Sequence, residues 1–286
     1  MSPGILAPIG RPRLMGVVNV TPDSFSDGGR WLESDAAIEH GRELLADGAD
    51  VLDIGGESTR PGATRPLVEE ELERVVPVIT ALAAEGAVVS VDTMRAEVAE
   101  AAVAAGATIV NDVSGGLADE RMLAVVADAG VAYVAMHWRA HSEHMADFAT
   151  YDAPGGIVRA VRDELARRVD AAVAAGVEAD RIVLDPGLGF AKQGEQNWQL
   201  LRGLGEVLSL GHPVLVGASR KSFLGALLGD EHGPRPVDQR EAANVALTVE
   251  LVRVGVWGIR VHDVRSSHDA LRVVNRLHDP RQEGQE

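Results

Sequence analysis

Two aspartates and an asparagine stand where apolar, β-branched runs of the sequence end. Asp92 ends the run VVSVD, Asn111 follows TIV, and Asp185 ends RIVLD. A carboxylate accepts two parallel hydrogen bonds from a planar group, as it does from arginine. Buried acids also need such partners, because an ionised carboxylate without one is costly away from water. If the three runs end at one place, these side chains suit the N–H-rich edge of a flat heterocycle.

A second set of residues places cations and hydrogen-bond donors at the ends of other runs. Lys221 follows PVLVGASR, and Arg260 and His262 lie in GIRVHD. Such groups stabilise a phosphate or an anionic leaving group. Asn19 ends LMGVVN, and its amide oxygen is a ligand type that Mg²⁺ accepts together with substrate phosphates. The sequence therefore predicts an anion site with Mg²⁺ on Asn19, and a plain strand-end turn residue is the alternative for Asn19.

Two segments rich in Gly, Pro, Ser, Thr and Asp follow the first two runs. They are TPDSFSDGGRW at 21–31, which carries Asp27, and GESTRPGATRP at 56–66, which carries Arg60. Such composition is typical of loops, and loops of this kind often close over a substrate and exclude water. Ordinary exposed loops are the alternative.

The sequence lacks the residues and motifs that several other classes of enzyme need. The sequence has no cysteine and no GxSxG or HExxH motif, which argues against thiolate nucleophiles, disulfide frameworks and these serine and zinc enzymes. We interpret His137, His141 and His144 as solvated loop residues rather than as zinc ligands. The net charge of −16 disfavours general binding to nucleic acid or to an anionic membrane. No apolar run reaches about 18 residues and no secretion signal is visible, so we expect a cytoplasmic protein.

Eight strands, each followed by a helical pattern, are needed to position these side chains. Near-continuous apolar runs are typical of parallel strands covered on both faces. Eight strand–helix units predict a single (β/α)8 barrel at 14–279, with flexible termini at 1–13 and 280–286. A doubly wound open sheet is the alternative, disfavoured because no GxGxxG follows the first run. The predicted strands are 14–21, 51–56, 88–93, 108–116, 131–138, 181–187, 213–220 and 258–263. The predicted helices are 34–49 with Ser34 as N-cap, 67–86 with a kink or break at Pro77, 94–106, 119–130, 156–176, 197–211, 238–255 and 267–278.

The strand ends and loops together resemble the dihydropteroate synthases. The resemblance covers 14–277 in order, with the segments NVTPDSFSDGG, DIGGESTRPGA, VSVDT, NDVSGG, LDPGLGFAK, GASRKSFLG and RVHDV. It implies a (β/α)8 barrel that joins 7,8-dihydropterin-6-ylmethyl diphosphate to 4-aminobenzoate in folate biosynthesis. The products are 7,8-dihydropteroate and pyrophosphate, with Mg²⁺ as cofactor, sulfonamides as competitors, and a homodimer as the assembly.

The resemblance also implies roles for individual residues. The catalytic residues are Asp27, which helps to order the closed site, with Asp92, Asp185 and Lys221. The pterin would contact Asp92, Asn111, Met136, Asp185, Phe190, Gly217 and Lys221. The diphosphate would contact Asn19, Arg60, Arg260 and His262, with Asn19 also binding the metal. The aminobenzoate would contact Thr59, Arg60, Pro61, Lys221 and Ser222. After the fifth run, Trp138 and Arg139 replace the smaller or more polar residues expected there, which favours Met136 at the pterin edge.

Three alternatives share parts of this pattern. A pterin-binding methyltransferase barrel shares the acids but does not need GASRKSFLG or STRPG, which are present here. A catalytically silent pterin-binding paralogue would have lost Asp27, Arg60 or Lys221, and all three are retained. A phosphate-binding barrel isomerase gives no account of the two polar loops.

Overall fold

Eight parallel strands form the centre of the protein in a computed structural model that describes residues 4–20, 30–57, 65–139, 148–152 and 154–278. In sheet order from one edge the strands are β6, β5, β4, β3, β2, β1, β8 and β7. An isolated parallel bridge between Leu184 and Val214 joins β6 to the segment before β7, and Leu184 N donates to Pro213 O at 2.8 Å. The sheet is thus closed into a barrel, and the prediction of a (β/α)8 fold is confirmed. The strands are β1 Arg13–Asn19, β2 Val51–Gly55, β3 Val89–Asp92, β4 Ile109–Asp112, β5 Ala132–Met136, β6 Ile182–Asp185, β7 Leu215–Val216 and β8 Gly258–Val261.

Helices alternate with these strands on the outside of the barrel. They are α1 Arg30–Ala46, α2 Val68–Ala84, α3 Ala96–Ala104, α4 Met122–Ala129, α5 Gly156–Ala174, α6 Gly194–Arg202, α7 Leu204–Leu208, α8 Ser222–Leu227, α9 Glu241–Val254 and α10 Val264–His278. Several end where the sequence places glycine: Gly130 and Gly255 have φ of 62° and 84° after α4 and α9. Only glycine adopts that left-handed conformation without steric cost, so these residues stop the helices.

Four helix predictions need correction. Helix α1 begins at Arg30, so Ser34 lies inside it and is not its N-cap. Helix α2 runs from Val68 to Ala84 as one element with Pro77 inside it, so the predicted break is wrong. The predicted helix at 197–211 is two helices that meet at Gly203. The short helix α8, directly after Lys221, was not predicted.

The interior of the barrel changes from apolar to polar along the strands. Its apolar layer consists of Met15, Val51, Ile109, Ala132, Val134, Val183 and Leu215. Side chains alternate between the two faces of a strand, so the residue two positions further on also faces inward. Two positions after Val51, Ile109 and Val183 stand Asp53, Asn111 and Asp185. The period of the strand therefore places polar side chains above the apolar layer, at the carboxyl end of the barrel.

The opposite, amino-terminal end of the barrel is closed by the first residues described. Ile5 and Leu6 pack against the apolar layer. Arg11 donates to both oxygens of Asp50, at 2.6 and 2.8 Å, and Leu14 N donates to Asp50 Oδ2 at 2.8 Å. These contacts were not part of the sequence prediction for 1–13, and the first strand starts one residue earlier than predicted. Within the described ranges, no helix is both long and apolar enough to cross a membrane.

Candidate active site

Arg260, on β8, lies between two aspartates from neighbouring strands. Its Nε donates to Asp53 Oδ2 at 2.6 Å, and its Nη2 donates to Asp92 Oδ2 at 2.8 Å. Asn111 Nδ2 donates to the same Asp53 oxygen at 3.0 Å. Side chains from β2, β3, β4 and β8 therefore form one hydrogen-bonded group, which we call the Arg260 cluster (Asp53, Asp92, Asn111 and Arg260). Asp92 and Asn111, predicted to converge with Asp185, belong to this group, and Arg260, predicted with the cations of the anion site, joins them here.

Burial and charge act against each other within the Arg260 cluster. Burial raises the pKa of Asp92 to about 7, since Asp53 adds to this effect and the Arg260 guanidinium only partly opposes it. The two carboxylates raise the pKa of Arg260 above its usual value, although burial opposes them. Asp53 is fully buried, and its Oδ1 has no hydrogen-bond partner. Arg260 therefore stays protonated, whereas the neighbouring Asp92 gains or loses its proton near neutral pH.

Asp185, at the end of β6, forms the second acidic position. Its Oδ1 accepts a hydrogen bond from Gly187 N at 2.7 Å. Burial raises the pKa of Asp185, and Lys221 is the leading group that opposes this shift. Burial in turn lowers the pKa of Lys221 to about 8, with Asp185 opposing. Asp185 and Lys221 therefore influence each other electrostatically, a coupling that the sequence analysis did not predict.

An apolar wall stands beside these charges. Met94, Val113 and Met136 form a buried cluster against which Trp138 and Phe190 pack. The Phe190 ring centroid lies 4.9 Å from Lys221 Nζ, in a cation–π arrangement. Two predicted pterin contacts, Met136 and Phe190, thus belong to one surface next to the acids, and a flat aromatic ring suits such a surface.

The remaining predicted residues that the structure describes stand at the same end of the barrel. His262 Nδ1 lies 3.0 Å from Ser219 Oγ, which joins the segment after β8 to the segment after β7. A side chain added at Gly217 would stand 3.6 Å from the Arg260 Cβ, so the glycine lies next to the Arg260 cluster. Ser222 is exposed at the start of α8, and Asn19 is exposed at the end of β1. Four predicted residues lie outside the described residues: Asp27, Thr59, Arg60 and Pro61.

The structure corrects the interpretation of His137. It is 1% exposed rather than solvated, its Nε2 lies 2.8 Å from Glu164 Oε2, and its Nδ1 lies 2.9 Å from Lys192 Nζ. Burial lowers the pKa of His137 to about 4, with Lys192 adding to the shift. The other two histidines of that interpretation, His141 and His144, lie outside the described residues.

Sequence reasoning also missed two buried charged residues beside the predicted ones. They are Asp53, the first residue of DIGGESTRPGA, and Lys192, the last residue of LDPGLGFAK, and the sequence analysis assigns no role to either. A signal for Lys192 was available: of 27 basic residues, only Lys192 and Lys221 are lysines. Where a chain uses arginine almost everywhere, a lysine marks a position at which a compact ammonium is required.

Asn19 fits a magnesium site in which the protein supplies only one or two oxygen ligands. Asn19 offers a single exposed amide oxygen at the carboxyl end of β1. Across the described ranges, no group of three or more acidic residues or histidines could hold a metal alone. Mg²⁺ commonly takes one or two protein oxygens and completes its shell with substrate phosphates and water. The residues therefore fit a Mg²⁺ that arrives with a phosphorylated substrate.

Comparison with known proteins agrees with this geometry. A family model described as pterin binding enzyme matches residues 15–262, so fold and site define a pterin-binding barrel enzyme. The dihydropteroate synthase of Mycobacterium leprae (strain TN) is 53% identical over 272 residues, with 94% of this chain and 93% of that protein covered. The chain belongs to the dihydropteroate synthase family.

Solved structures of this family superpose on nearly the whole chain. Xanthomonas albilineans dihydropteroate synthase with 4-aminobenzoic acid has a TM-score of 0.85 at 47% identity, covering 94% of this chain and 93% of that one. The enzyme from the same bacterium in complex with 7,8-dihydropteroate has a TM-score of 0.82 at 43% identity, covering 95% of both chains. The Yersinia pestis enzyme in a sulfonamide complex has a TM-score of 0.85 at 39% identity, covering 93% of this chain and 94% of that one.

Proposed function

We propose that this chain joins 7,8-dihydropterin-6-ylmethyl diphosphate to 4-aminobenzoate and releases 7,8-dihydropteroate and pyrophosphate, a transferase reaction of folate biosynthesis. The observation that carries the proposal is the Arg260 cluster next to the Asp185–Lys221 pair, at the carboxyl end of one barrel. This arrangement combines acceptors for a heterocycle with cations for a diphosphate. Family membership supports the same reaction.

The pterin is held, on this proposal, by the buried acids and the apolar wall. Asp185 accepts from the N–H-rich edge of the ring, while Asp92 and Asn111 contact its other polar atoms. The ring packs on Phe190 and Met136, which already share one surface. The charge of Lys221 partly opposes the rise that burial causes in the pKa of Asp185.

The reaction proceeds by loss of the diphosphate before the new bond forms. The bond from the exocyclic methylene carbon to oxygen breaks, and pyrophosphate leaves with the electron pair. The carbocation that remains is delocalised over the electron-rich dihydropterin. The ionised Asp92 and Asp185 stabilise this positive charge from fixed positions, so no reorganisation is needed in the transition state. The amine nitrogen of 4-aminobenzoate then forms the bond to carbon and gives up one proton.

The leaving pyrophosphate gains negative charge, and the basic residues of the site act on it. Arg260 and His262, with Arg60 from the second loop, bind the diphosphate on this proposal. Asn19 would hold Mg²⁺ together with the phosphate oxygens, and the metal would neutralise part of the developing charge when bound.

The second substrate enters beside the polar loops. We assign the aminobenzoate to Thr59, Arg60, Pro61, Lys221 and Ser222, with Asp27 ordering the site around the bound pterin. Sulfonamides resemble aminobenzoate in shape and compete for the same place, which the sulfonamide complex of the Yersinia pestis enzyme supports. Holding both substrates in line supplies a large part of the rate.

A bridging-oxygen label tests the order of bond breaking. The pterin diphosphate is labelled with ¹⁸O between carbon and phosphorus and incubated with the protein, Mg²⁺ and limiting aminobenzoate. Early cleavage of the carbon–oxygen bond lets the label exchange with the non-bridging oxygens of the same phosphate, the one attached to carbon, before that bond re-forms. A label that never moves during slow turnover contradicts a carbocation intermediate.

A silent pterin-binding paralogue is separated from an enzyme by a second experiment. Calorimetry should show that the pterin diphosphate binds without aminobenzoate, and pyrophosphate should appear only after aminobenzoate is added. Binding without any pyrophosphate release would favour the paralogue.

We also propose a homodimer in the cytoplasm. Exposed apolar side chains lie on the neighbouring helices α9 and α10, namely Val254, Val273 and Leu277, and they support an interface there. Light scattering during gel filtration tests the mass, and a monomer at micromolar concentration would contradict the assembly. Cell fractionation tests the location.

A further inference from the structure

The loop between β6 and α6, residues 186–193, is held in an unusual backbone conformation. Gly187 and Gly189 have φ of 65° and 78°, and Ala191, which is not a glycine, has φ of 48°. A residue with a Cβ pays about 1–2 kcal/mol in the left-handed region, so surrounding contacts must hold the loop there.

Lys192 supplies the largest group of these contacts. Its Nζ lies 2.8 Å from Gly187 O, 2.9 Å from Phe190 O and 2.9 Å from His137 Nδ1. The side chain is buried, and burial lowers the pKa of Lys192 well below its usual value, with the nearby Lys221 adding to the shift. Its three neighbours are two carbonyl oxygens and a ring nitrogen, and the three N–H donors of the protonated ammonium match them. Lys192 therefore ties both ends of the loop segment 187–190 to His137, the residue directly after β5.

The proton positions in this network follow from its outer members. Glu164 accepts from Arg139 Nε at 3.0 Å, and its hydrogen bonds to His137 and Arg139 lower its pKa to about 2 although burial opposes them. An ionised carboxylate only accepts, so His137 Nε2 carries a proton. The pKa of His137 is lowered to about 4, so the ring is neutral and its Nδ1 accepts from Lys192. Lys192 thus donates a hydrogen bond to His137, and His137 donates one to Glu164.

The loop that Lys192 holds carries parts of the candidate active site. Phe190 presents its ring to Lys221, Leu188 O accepts a hydrogen bond from Lys221 Nζ, and Gly187 N donates to Asp185. The two lysines of the chain thus bind different carbonyls of the same loop. Arginine is planar and larger, and it cannot place three tetrahedral donors in a buried space of this kind.

We propose that Lys192 is a positioning residue that sets the pterin-binding geometry of Asp185, Phe190 and Lys221, an inference that rests on the proposed function. Lys192 itself does not touch the substrate. Its effect is therefore specific to the pterin end of the site, whereas a merely structural residue would affect stability and both substrates alike.

Lys192→Met tests this inference in the full-length protein. The change keeps the length of the side chain and removes all three donors. We expect the KM for the pterin diphosphate to rise about 10- to 100-fold, as for other supporting hydrogen bonds. The KM for 4-aminobenzoate should rise much less, because Lys221 is the one proposed aminobenzoate contact that bonds to this loop. Arg202→Met is the matched control, because it removes an exposed cation from the neighbouring helix α6, and it should leave both constants unchanged.

A second change separates positioning from stability. Ala191→Gly removes the steric cost at φ 48°, so adding it to Lys192→Met should raise the melting temperature without restoring the pterin KM. Recovery of both quantities together would overturn the proposal, as would equal changes in the two KM values or no change. If Lys192→Met does not fold, Lys192→Gln retains two N–H donors and is judged by the same criteria.

Calorimetry tests the role of Lys192 separately from the proposed reaction. Binding of the pterin diphosphate is measured without aminobenzoate for the wild type and for Lys192→Met. A wild type that binds the pterin but releases no pyrophosphate contradicts the proposed reaction and still tests Lys192. Equal affinity in the two proteins overturns the role of Lys192, whatever the activity.

Discussion

Replacing Asp53 by asparagine removes one buried negative charge from the Arg260 cluster while keeping the shape of the side chain. Asp53 Oδ2 accepts from Arg260 at 2.6 Å and from Asn111 at 3.0 Å, and an amide oxygen can still accept both bonds. Hydrogen bonds to charged groups are worth about 1.5–3 kcal/mol and neutral ones about 0.5–1.5 kcal/mol. The bond from Arg260 keeps its charged donor, whereas the bond from Asn111 changes from charge-assisted to neutral, which costs about 1 kcal/mol.

The other oxygen of Asp53 adds to that cost. Oδ1 is buried without a hydrogen-bond partner, so the new NH₂ group would be an unsatisfied buried donor there. Such a donor costs about 1–3 kcal/mol. We expect the free energy of unfolding to fall by about 2–4 kcal/mol in total, which a typical stability of about 5–15 kcal/mol tolerates.

The substitution also predicts a change in pH dependence, whose sign follows from charge. Asp53 raises the pKa of Asp92, so removing the Asp53 charge lowers it. If the ionised Asp92 binds the pterin, affinity for the pterin diphosphate should persist to a pH about one unit lower in Asp53→Asn. Calorimetry across a pH series measures the pH at which this affinity is lost on acidification, and urea unfolding measures the stability.

Asp50→Asn is the matched control, because Asp50 pairs with Arg11 at the opposite end of the barrel. The Asp50→Asn change should lower the free energy of unfolding without moving the pH at which affinity for the pterin diphosphate is lost. The reasoning about Asp92 would be refuted if Asp53→Asn lost its pterin affinity at the same pH as the wild type. It would also be refuted if this pH moved equally in both variants.

Three further predictions concern the same site and the core around it. Asp185→Asn and Lys221→Ala should each lower kcat by about 100-fold or more with circular dichroism unchanged, and wild-type turnover in either would contradict the site. Affinity for the pterin diphosphate should be greatest between the pKa of Asp92, about 7, and that of Lys221, about 8. Below this window Asp92 gains a proton and above it Lys221 loses one, so a flat profile from about pH 6 to about pH 9 would count against both roles. Tyr133→Phe removes the buried hydrogen bond from Tyr133 Oη to Asp112 Oδ2, 2.9 Å long. It should lower the free energy of unfolding by about 1–2 kcal/mol in urea titrations and leave both KM values unchanged; a changed KM would show that this bond supports the site.

The fold was predictable because its signal is repeated along the chain. Eight apolar runs and eight helical patterns predict the barrel, and the alternation of side chains along a strand predicts which acids face inward. Helix boundaries were less predictable, since α1 extends past Ser34 and the break at Gly203 depends on close packing. A side chain added at Gly203 would stand 2.7 Å from Val158, a contact that no local pattern reveals.

The site was predictable at strand ends and not between distant segments. Asp92 and Asp185 each end a strand, and Asn111 and Arg260 each stand one residue before a strand end. Their approach therefore follows from the topology. The pairing of Arg260 with Asp53 joins residues 207 positions apart and depends on the stagger of β2 and β8. The burial of His137 depends on Glu164 and Lys192, which come from two other elements.

The central claim is that this barrel catalyses the condensation of the two substrates. Its most direct test is mass spectrometry of the products, with released pyrophosphate counted in the same samples. The account predicts one 7,8-dihydropteroate for each pyrophosphate, formed only when the pterin diphosphate and 4-aminobenzoate are both present. A folded protein that forms no dihydropteroate, or that releases pyrophosphate equally without aminobenzoate, would contradict it.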